Sequence, residues 1–101
     1  MEYRKLGQSD LNVSVVTFGA WAAGGWMWGG TERAEAVKAI QAGFDFGVTS
    51  FDTAPVYGQG TSEEIVGAAI RGVSRDKAKI LTKFSLSWEG TDRQFFFHSR
   101  N

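Results

Sequence analysis

Ser50-Phe51-Asp52-Thr53-Ala54-Pro55-Val56-Tyr57-Gly58-Gln59-Gly60-Thr61-Ser62-Glu63-Glu64 decides how this chain folds. A β-rich segment runs into an acid at Asp52, turn-forming residues follow, and a helix opens near Thr61. That order is the strand, loop and helix of a βα unit. A second segment, Lys79-Ile80-Leu81-Thr82-Lys83-Phe84, also ends in a charge. Asp52, Tyr57 and Lys83 thus fall at or just past the ends of predicted strands. An acid, a phenol and a lysine gathered there would form a proton-donating set.

The flanking sequence extends the same alternation. Tyr3 to Leu6, the turn Gly7-Gln8-Ser9-Asp10, and Leu11 to Ser14 predict a β-hairpin. Val15-Val16-Thr17-Phe18 predicts a short strand broken at Gly19. Thr31 is a good N-cap, with Glu32 and Glu35 beside the positive end of the helix dipole. Val37, Ile40 and Phe44 make that helix's apolar stripe, and Gly43 and Gly47 bracket its end. Val48 to Phe51 is the next predicted strand. Thr61 and Glu64 read as the capping box of a second helix with an apolar face of Ile65, Val66, Ala69 and Ile70, stopped at Gly72. Ala78 to Thr82 predicts a third strand. The tail from Ser85 is polar and Gly-containing until Phe95-Phe96-Phe97. The expected organisation of residues 1–101 is one unit: hairpin 3–14, βαβαβ 15–84, and tail 85–101. Strands alternating with helices imply a parallel sheet.

Composition narrows the function. Eleven basic residues balance 11 acidic ones without a Lys/Arg run, so nucleic-acid binding has no electrostatic support. With no Cys, disulfides, thiol catalysis and cysteine-ligated metal are excluded. Met1-Glu2-Tyr3-Arg4-Lys5 opens into a polar turn rather than an apolar signal region. The Gly- and Trp-rich stretch from Phe18 to Gly30 is too short to span a bilayer. The expectation is a soluble cytoplasmic protein with no membrane or nucleic-acid partner and no metal.

A free phenol titrates near about pH 10. A neighbouring ammonium favours the phenolate and makes the phenol a better acid. Lys83 would supply that field beside Tyr57, and Asp52 would hold Lys83 charged and in place. Tyr57 would then protonate a carbonyl oxygen while hydride reaches the carbonyl carbon. No side chain carries hydride, so a nicotinamide would be needed. Taken singly, these residues also have plain readings: Asp before Thr-Ala-Pro starts turns, and a Lys ending a strand is usually a solvated rim residue.

The words Phe51-Asp52-Thr53-Ala54, Tyr57-Gly58-Gln59-Gly60-Thr61-Ser62-Glu63 and Leu81-Thr82-Lys83 resemble the aldo-keto reductase family. So do Tyr3-Arg4-Lys5-Leu6-Gly7-Gln8-Ser9, Val13-Ser14 and Phe18-Gly19-Ala20-Trp21, in the same order. The resemblance implies the N-terminal part of a (β/α)8 TIM barrel: the hairpin that plugs the bottom, then about three βα units. It implies catalytic Asp52, Tyr57 and Lys83, cofactor contacts from Ala20, Trp21 and Asp52, and substrate contacts from Trp21 and Tyr57. The cofactor would be NADP(H) and the substrate a small-molecule aldehyde or ketone, reduced to its alcohol.

Other features carry less. Gly58-Gln59-Gly60 lacks the third glycine of a dinucleotide loop and the Lys-Ser/Thr ending of a P-loop, and reads as a flexible turn. Among the tryptophans of the Gly-rich loop, Trp21 is expected at the substrate pocket, and Trp26 and Trp28 are not assigned. His98, the one histidine, follows Lys83 without an intervening helical pattern and reads as a loop residue, not as the family's fourth catalytic group.

A whole barrel takes about 250 residues. The chain is therefore expected to be an incomplete barrel, a truncated N-terminal piece that is inactive alone and prone to self-association through open sheet edges. Two other readings remain open at this point. One is a non-catalytic half-barrel module that binds itself or a partner. The weaker is a small flavodoxin-like domain, for which the loop after the first strand lacks phosphate-cradling Ser/Thr.

Overall fold

The computed structural model describes residues 1–24, 33–73, 75–84, 86–88 and 95–97. Strands β1 (Tyr3–Lys5) and β2 (Asn12–Ser14) form an antiparallel hairpin in which Tyr3 faces Ser14 and Lys5 faces Asn12. Its turn is closed by the Leu6 N–H on the Leu11 carbonyl at 2.9 Å, and by the Ser9 hydroxyl on the Leu6 carbonyl at 2.6 Å. Strands β3 (Thr17–Gly19), β4 (Ser50–Asp52) and β5 (Lys79–Leu81) form a parallel sheet in that order. Helix α1 (Arg33–Asp45) connects β3 to β4, and α2 (Thr61–Ala69) connects β4 to β5. These are the βα units of an incomplete (β/α)8 barrel. No helix among the described residues is long and apolar enough to cross a membrane.

Alternation along the strands sorts the side chains. Phe18, Phe51 and Ile80 share one row of the register and face the helices. Phe51 is fully buried with Ile40, Ile65 and Val66, and its ring lies parallel to that of Phe44 at 6.1 Å. The predicted stripes form this core: Ile40 is buried, Val37 and Phe44 pack against it, and Ile65, Val66 and Ala69 are buried with Ile70 at the margin. Thr17, Ser50 and Asp52 project to the opposite face, and the Thr17 and Ser50 hydroxyls meet at 2.8 Å.

A buried hydroxyl ties the hairpin to the sheet. Ser14 Oγ accepts the Thr49 and Ser50 N–H groups at 3.0 and 3.2 Å and donates to the Val16 carbonyl at 2.7 Å. This explains one departure from the sequence reading. The first strand begins at Thr17, not Val15, because hydroxyls of Ser14 and Ser50 take the Val16 carbonyl. Val15 and Val16 are left exposed.

Three further expectations are corrected. The second and third parallel strands are Ser50–Asp52 and Lys79–Leu81, so Asp52 ends a strand from within it. The capping box at Thr61 does not form. Gly58, Gln59 and Gly60 all adopt positive φ (66°, 55° and 99°), Gly60 becomes the N-cap, and Thr61 Oγ1 turns back onto the Gly58 carbonyl at 2.7 Å. The two glycines enter that left-handed turn without a steric penalty, while Gln59 carries its strain. Finally, the tail holds a second hairpin, with β6 (Leu86–Trp88) antiparallel to β7 (Phe95–Phe97). The expected N-cap Thr31, with Glu32, Trp26, Trp28 and His98, lies outside the described residues.

Candidate active site

The register of the parallel sheet brings the site together. Gly19, Asp52 and Leu81 occupy one row at the C-terminal ends of β3, β4 and β5. Backbone bonds carry that row onward: the Ala20 N–H reaches the Asp52 carbonyl at 2.9 Å, and the Thr53 N–H reaches the Leu81 carbonyl at 2.8 Å. Lys83, just past β5, consequently lies beside Asp52. Its Nζ donates to Asp52 Oδ1 at 2.9 Å and to the Thr53 carbonyl at 2.9 Å. The preceding Thr82 hydroxyl donates to Glu63 Oε1 and fastens this strand end to α2.

Tyr57 enters from the turn before α2. Its N–H bonds to the Ala54 carbonyl at 3.1 Å, and its carbonyl accepts the Ser62 N–H at 3.1 Å. Lys83 Nζ lies 4.9 Å from the centre of the Tyr57 ring, within cation–π range. The Trp21 indole stacks on the same ring, centroids 5.6 Å apart and planes 14° apart. Asp52, Tyr57, Lys83 and Trp21, all singled out from sequence, thus share one rim. Ala20 is placed differently. It is fully buried, with its N–H on Asp52 and its carbonyl on Ser62.

Electrostatics follows the geometry. Burial works to lower the pKa of Lys83, but hydrogen bonding to Asp52 and Tyr57, with the negative charge of Asp52, outweighs it and raises the pKa above the ordinary lysine value of 10.5. The ammonium is a fixed positive charge near neutral pH. Asp52 and Lys83 keep 43% and 47% of their side-chain surface exposed, so the pair is open to small molecules and screened by water. A cavity of about 220 Å³ lies elsewhere, between the hairpin and β5, lined by Leu6, Leu11 and Val13 among others; the acid, phenol and ammonium are not part of it.

Sequence reasoning missed Thr53 and Ser62. Both are buried, and their hydroxyls meet at 2.8 Å behind the rim. Thr53 reads in the sequence as part of the turn that follows Asp52, and Ser62 as part of a helix start. The available signal was a pair of small hydroxyl residues on either side of Tyr57.

A profile described as the Aldo/keto reductase family matches residues 15–97. The chain belongs to the aldo/keto reductase family. It is 43% identical over 100 residues to the aldo-keto reductase YhdN of Bacillus subtilis, covering 98% of this chain and 30% of that protein. It is 36% identical over 86 residues to the NADH-specific methylglyoxal reductase of Escherichia coli, covering 83% of this chain and 26% of that protein. Among solved structures it resembles the glycerol dehydrogenase of Gluconobacter oxydans, with a TM-score of 0.77 and 42% identity over 97% of this chain and 31% of that one. The chain therefore spans about 30% of the length of these aldo/keto reductases.

Proposed function

We propose that this chain supplies the proton-donating rim of a nicotinamide-dependent carbonyl reductase. The observation that carries the reading is Lys83 Nζ, bonded to Asp52 Oδ1 at 2.9 Å and 4.9 Å from the centre of the Tyr57 ring. Tyr57 is the general acid: its hydroxyl proton goes to the carbonyl oxygen of an aldehyde or ketone. Lys83 stabilises the negative charge left on the phenol oxygen, and Asp52 keeps Lys83 aimed there. Solvent then reprotonates Tyr57. A reduced nicotinamide, when bound, supplies the hydride that makes the product an alcohol.

The residues fit such a cofactor in kind. A half-exposed carboxylate and ammonium stand beside an aromatic pair at one rim. Trp21 and Asp52 would touch the nicotinamide end, with Ala20 holding Trp21 from behind, and Trp21 and Tyr57 would face the substrate. NADP(H) is our reading, and NAD(H) is its competitor because a 36% identical relative is named NADH-specific. Because the chain spans about 30% of its relatives, reduction is proposed to need the remaining barrel, and the 101 residues alone are inactive.

The test is a chimera in which this chain replaces the matching segment of the Bacillus subtilis relative. The chimera should oxidise NADPH in the presence of a simple aldehyde. Tyr57→Phe should lower the rate by about 10²–10⁴-fold. A chimera whose activity survives Tyr57→Phe undiminished would sink the assignment of the general acid.

A further inference from the structure

Behind the rim runs a chain of three groups closed to solvent. Thr53, Ser62 and Ala20 are each 1% exposed or less. The hydroxyls of Thr53 and Ser62 lie 2.8 Å apart, and Ser62 Oγ lies 2.8 Å from the Ala20 carbonyl. Proton counting fixes its direction. A carbonyl only accepts and each hydroxyl has one proton to give. Ser62 must give its proton to Ala20, so Thr53 donates to Ser62.

Each end of this chain is an anchor for a residue touching Tyr57. At one end, the Thr53 carbonyl receives Lys83 Nζ. At the other, Ala20 precedes Trp21, and its two backbone groups are pinned from different elements, the N–H by β4 and the carbonyl by α2. The two peptide planes that meet at Ala20 are therefore both held, the one before it by β4 and the one leading into Trp21 by the Ser62 hydroxyl. Ser62 does a second job with its backbone: its N–H holds the Tyr57 carbonyl at 3.1 Å. One residue thus holds the peptide that precedes Trp21 through its side chain and Tyr57 through its main chain, and Trp21 and Tyr57 are the two rings that stack.

We propose that Ser62 is the positioning residue of this site. Its hydroxyl sets the Trp21–Tyr57 stack and so aims the phenol. The consequence for catalysis rests on the reading of Tyr57 as proton donor; the geometry does not. Ser62→Ala removes both bonds of the hydroxyl, to the Ala20 carbonyl and to Thr53. It leaves the Ser62 N–H on Tyr57, improves helix propensity in α2, and strands the Ala20 carbonyl and the Thr53 hydroxyl without the partner they share.

The test uses the full chain labelled with 3-fluorotyrosine. The sequence holds two tyrosines, so the fluorine NMR spectrum has two lines. Tyr3, whose hydroxyl bonds to the Gly47 carbonyl, is the internal control. Trp21→Leu removes the indole ring current, identifies the Tyr57 line and fixes where it moves. Ser62→Ala should displace the Tyr57 line towards that same position with the Tyr3 line unmoved. Ser62→Thr, which keeps the hydroxyl, should leave the Tyr57 line near its original place. A Tyr57 line unmoved by Ser62→Ala overturns the proposal. Should Ser62→Ala unfold the chain, both lines collapse together and Ser62→Cys carries the test. That variant keeps a side chain of similar size but offers the Ala20 carbonyl only a weak thiol donor, so it should move the Tyr57 line the same way; an unmoved line is again fatal. No cofactor enters the spectrum. A displaced line together with a chimera indifferent to Tyr57→Phe would keep the positioning role and remove the reductase reading.

Discussion

Lys83 and Asp52 form an ion pair at 2.9 Å across the C-terminal ends of two adjacent parallel strands. Both side chains are more than two-fifths exposed. An exposed pair of this kind contributes about 0.2–1 kcal/mol to folding. Its value lies in placing a positive charge against Tyr57, not in holding the sheet. Asp52→Asn should therefore cost less than about 1 kcal/mol in urea unfolding. In the reductase chimera it should lower aldehyde reduction by roughly tenfold or more, because Lys83 loses its charged partner. A loss of several kcal/mol in urea with aldehyde reduction by the folded chimera unchanged would make the pair structural.

Lys83 also gives the site an alkaline limit. Its folded pKa is raised above 10.5, so the charged form is favoured by folding. Whatever stability this brings is fully present below the unfolded lysine pKa and is lost as pH rises through the higher folded value. Solvent exposure keeps the effect small. Stability of the native chain and of Lys83→Met should run apart at neutral pH and converge as pH climbs beyond the ordinary lysine range. Paired unfolding curves on either side of that range measure this, and curves that diverge with rising pH would reverse the sign and refute it.

Two phenylalanines separate core from surface. Phe51 is fully buried among Ile40, Phe44, Ile65 and Val66, whereas Phe84 is 90% exposed. Phe51→Ala should cost about 3–5 kcal/mol, a large share of the total stability of a small domain. Phe84→Ala should change stability by no more than about 0.5 kcal/mol. Urea midpoints of the two variants decide the point, and equal losses would mean that the sheet's helix-facing row is not the core.

How much of this was legible depended on the range of the interaction. Apolar periodicity marked α1, α2 and the parallel strands because Ile40, Phe51, Ile65 and Val66 declare their buried faces locally. Asp52, Tyr57 and Lys83 were visible because strand ends are where barrels place chemistry. The strand start at Thr17 was not legible, since it depends on hydroxyls of Ser14 and Ser50 reaching the Val16 carbonyl. Nor was the N-cap at Gly60: the T-x-x-E pattern was present, but three successive left-handed residues ending at Gly60 start the helix one residue earlier and put Thr61 inside it. Ser62 was the least legible, because its partner Ala20 lies on a different βα unit. The β6–β7 hairpin was missed because the polar, Gly-containing tail shows no clean alternation.

The parallel sheet supplies a reason for association. Among the described residues β3 and β5 each pair with β4 alone, so each offers a strand edge. Large apolar side chains stand in the open near both: Val16 is 54% exposed just before β3, and Phe84 is 90% exposed shortly after β5. Strand edges recruit further strands, and exposed apolar surface adds a driving force. The 101-residue chain should therefore sediment with a mass that grows with concentration. Val16→Lys combined with Phe84→Lys should shift it towards the monomer, since charges beside an edge oppose pairing. Neither residue belongs to the proton-donating set, so the double variant should leave the Tyr57 fluorine line in place. A native chain that stays monomeric at every concentration would show that these edges do not drive assembly, whereas a mass that grows equally in the double variant would locate the contact on another face.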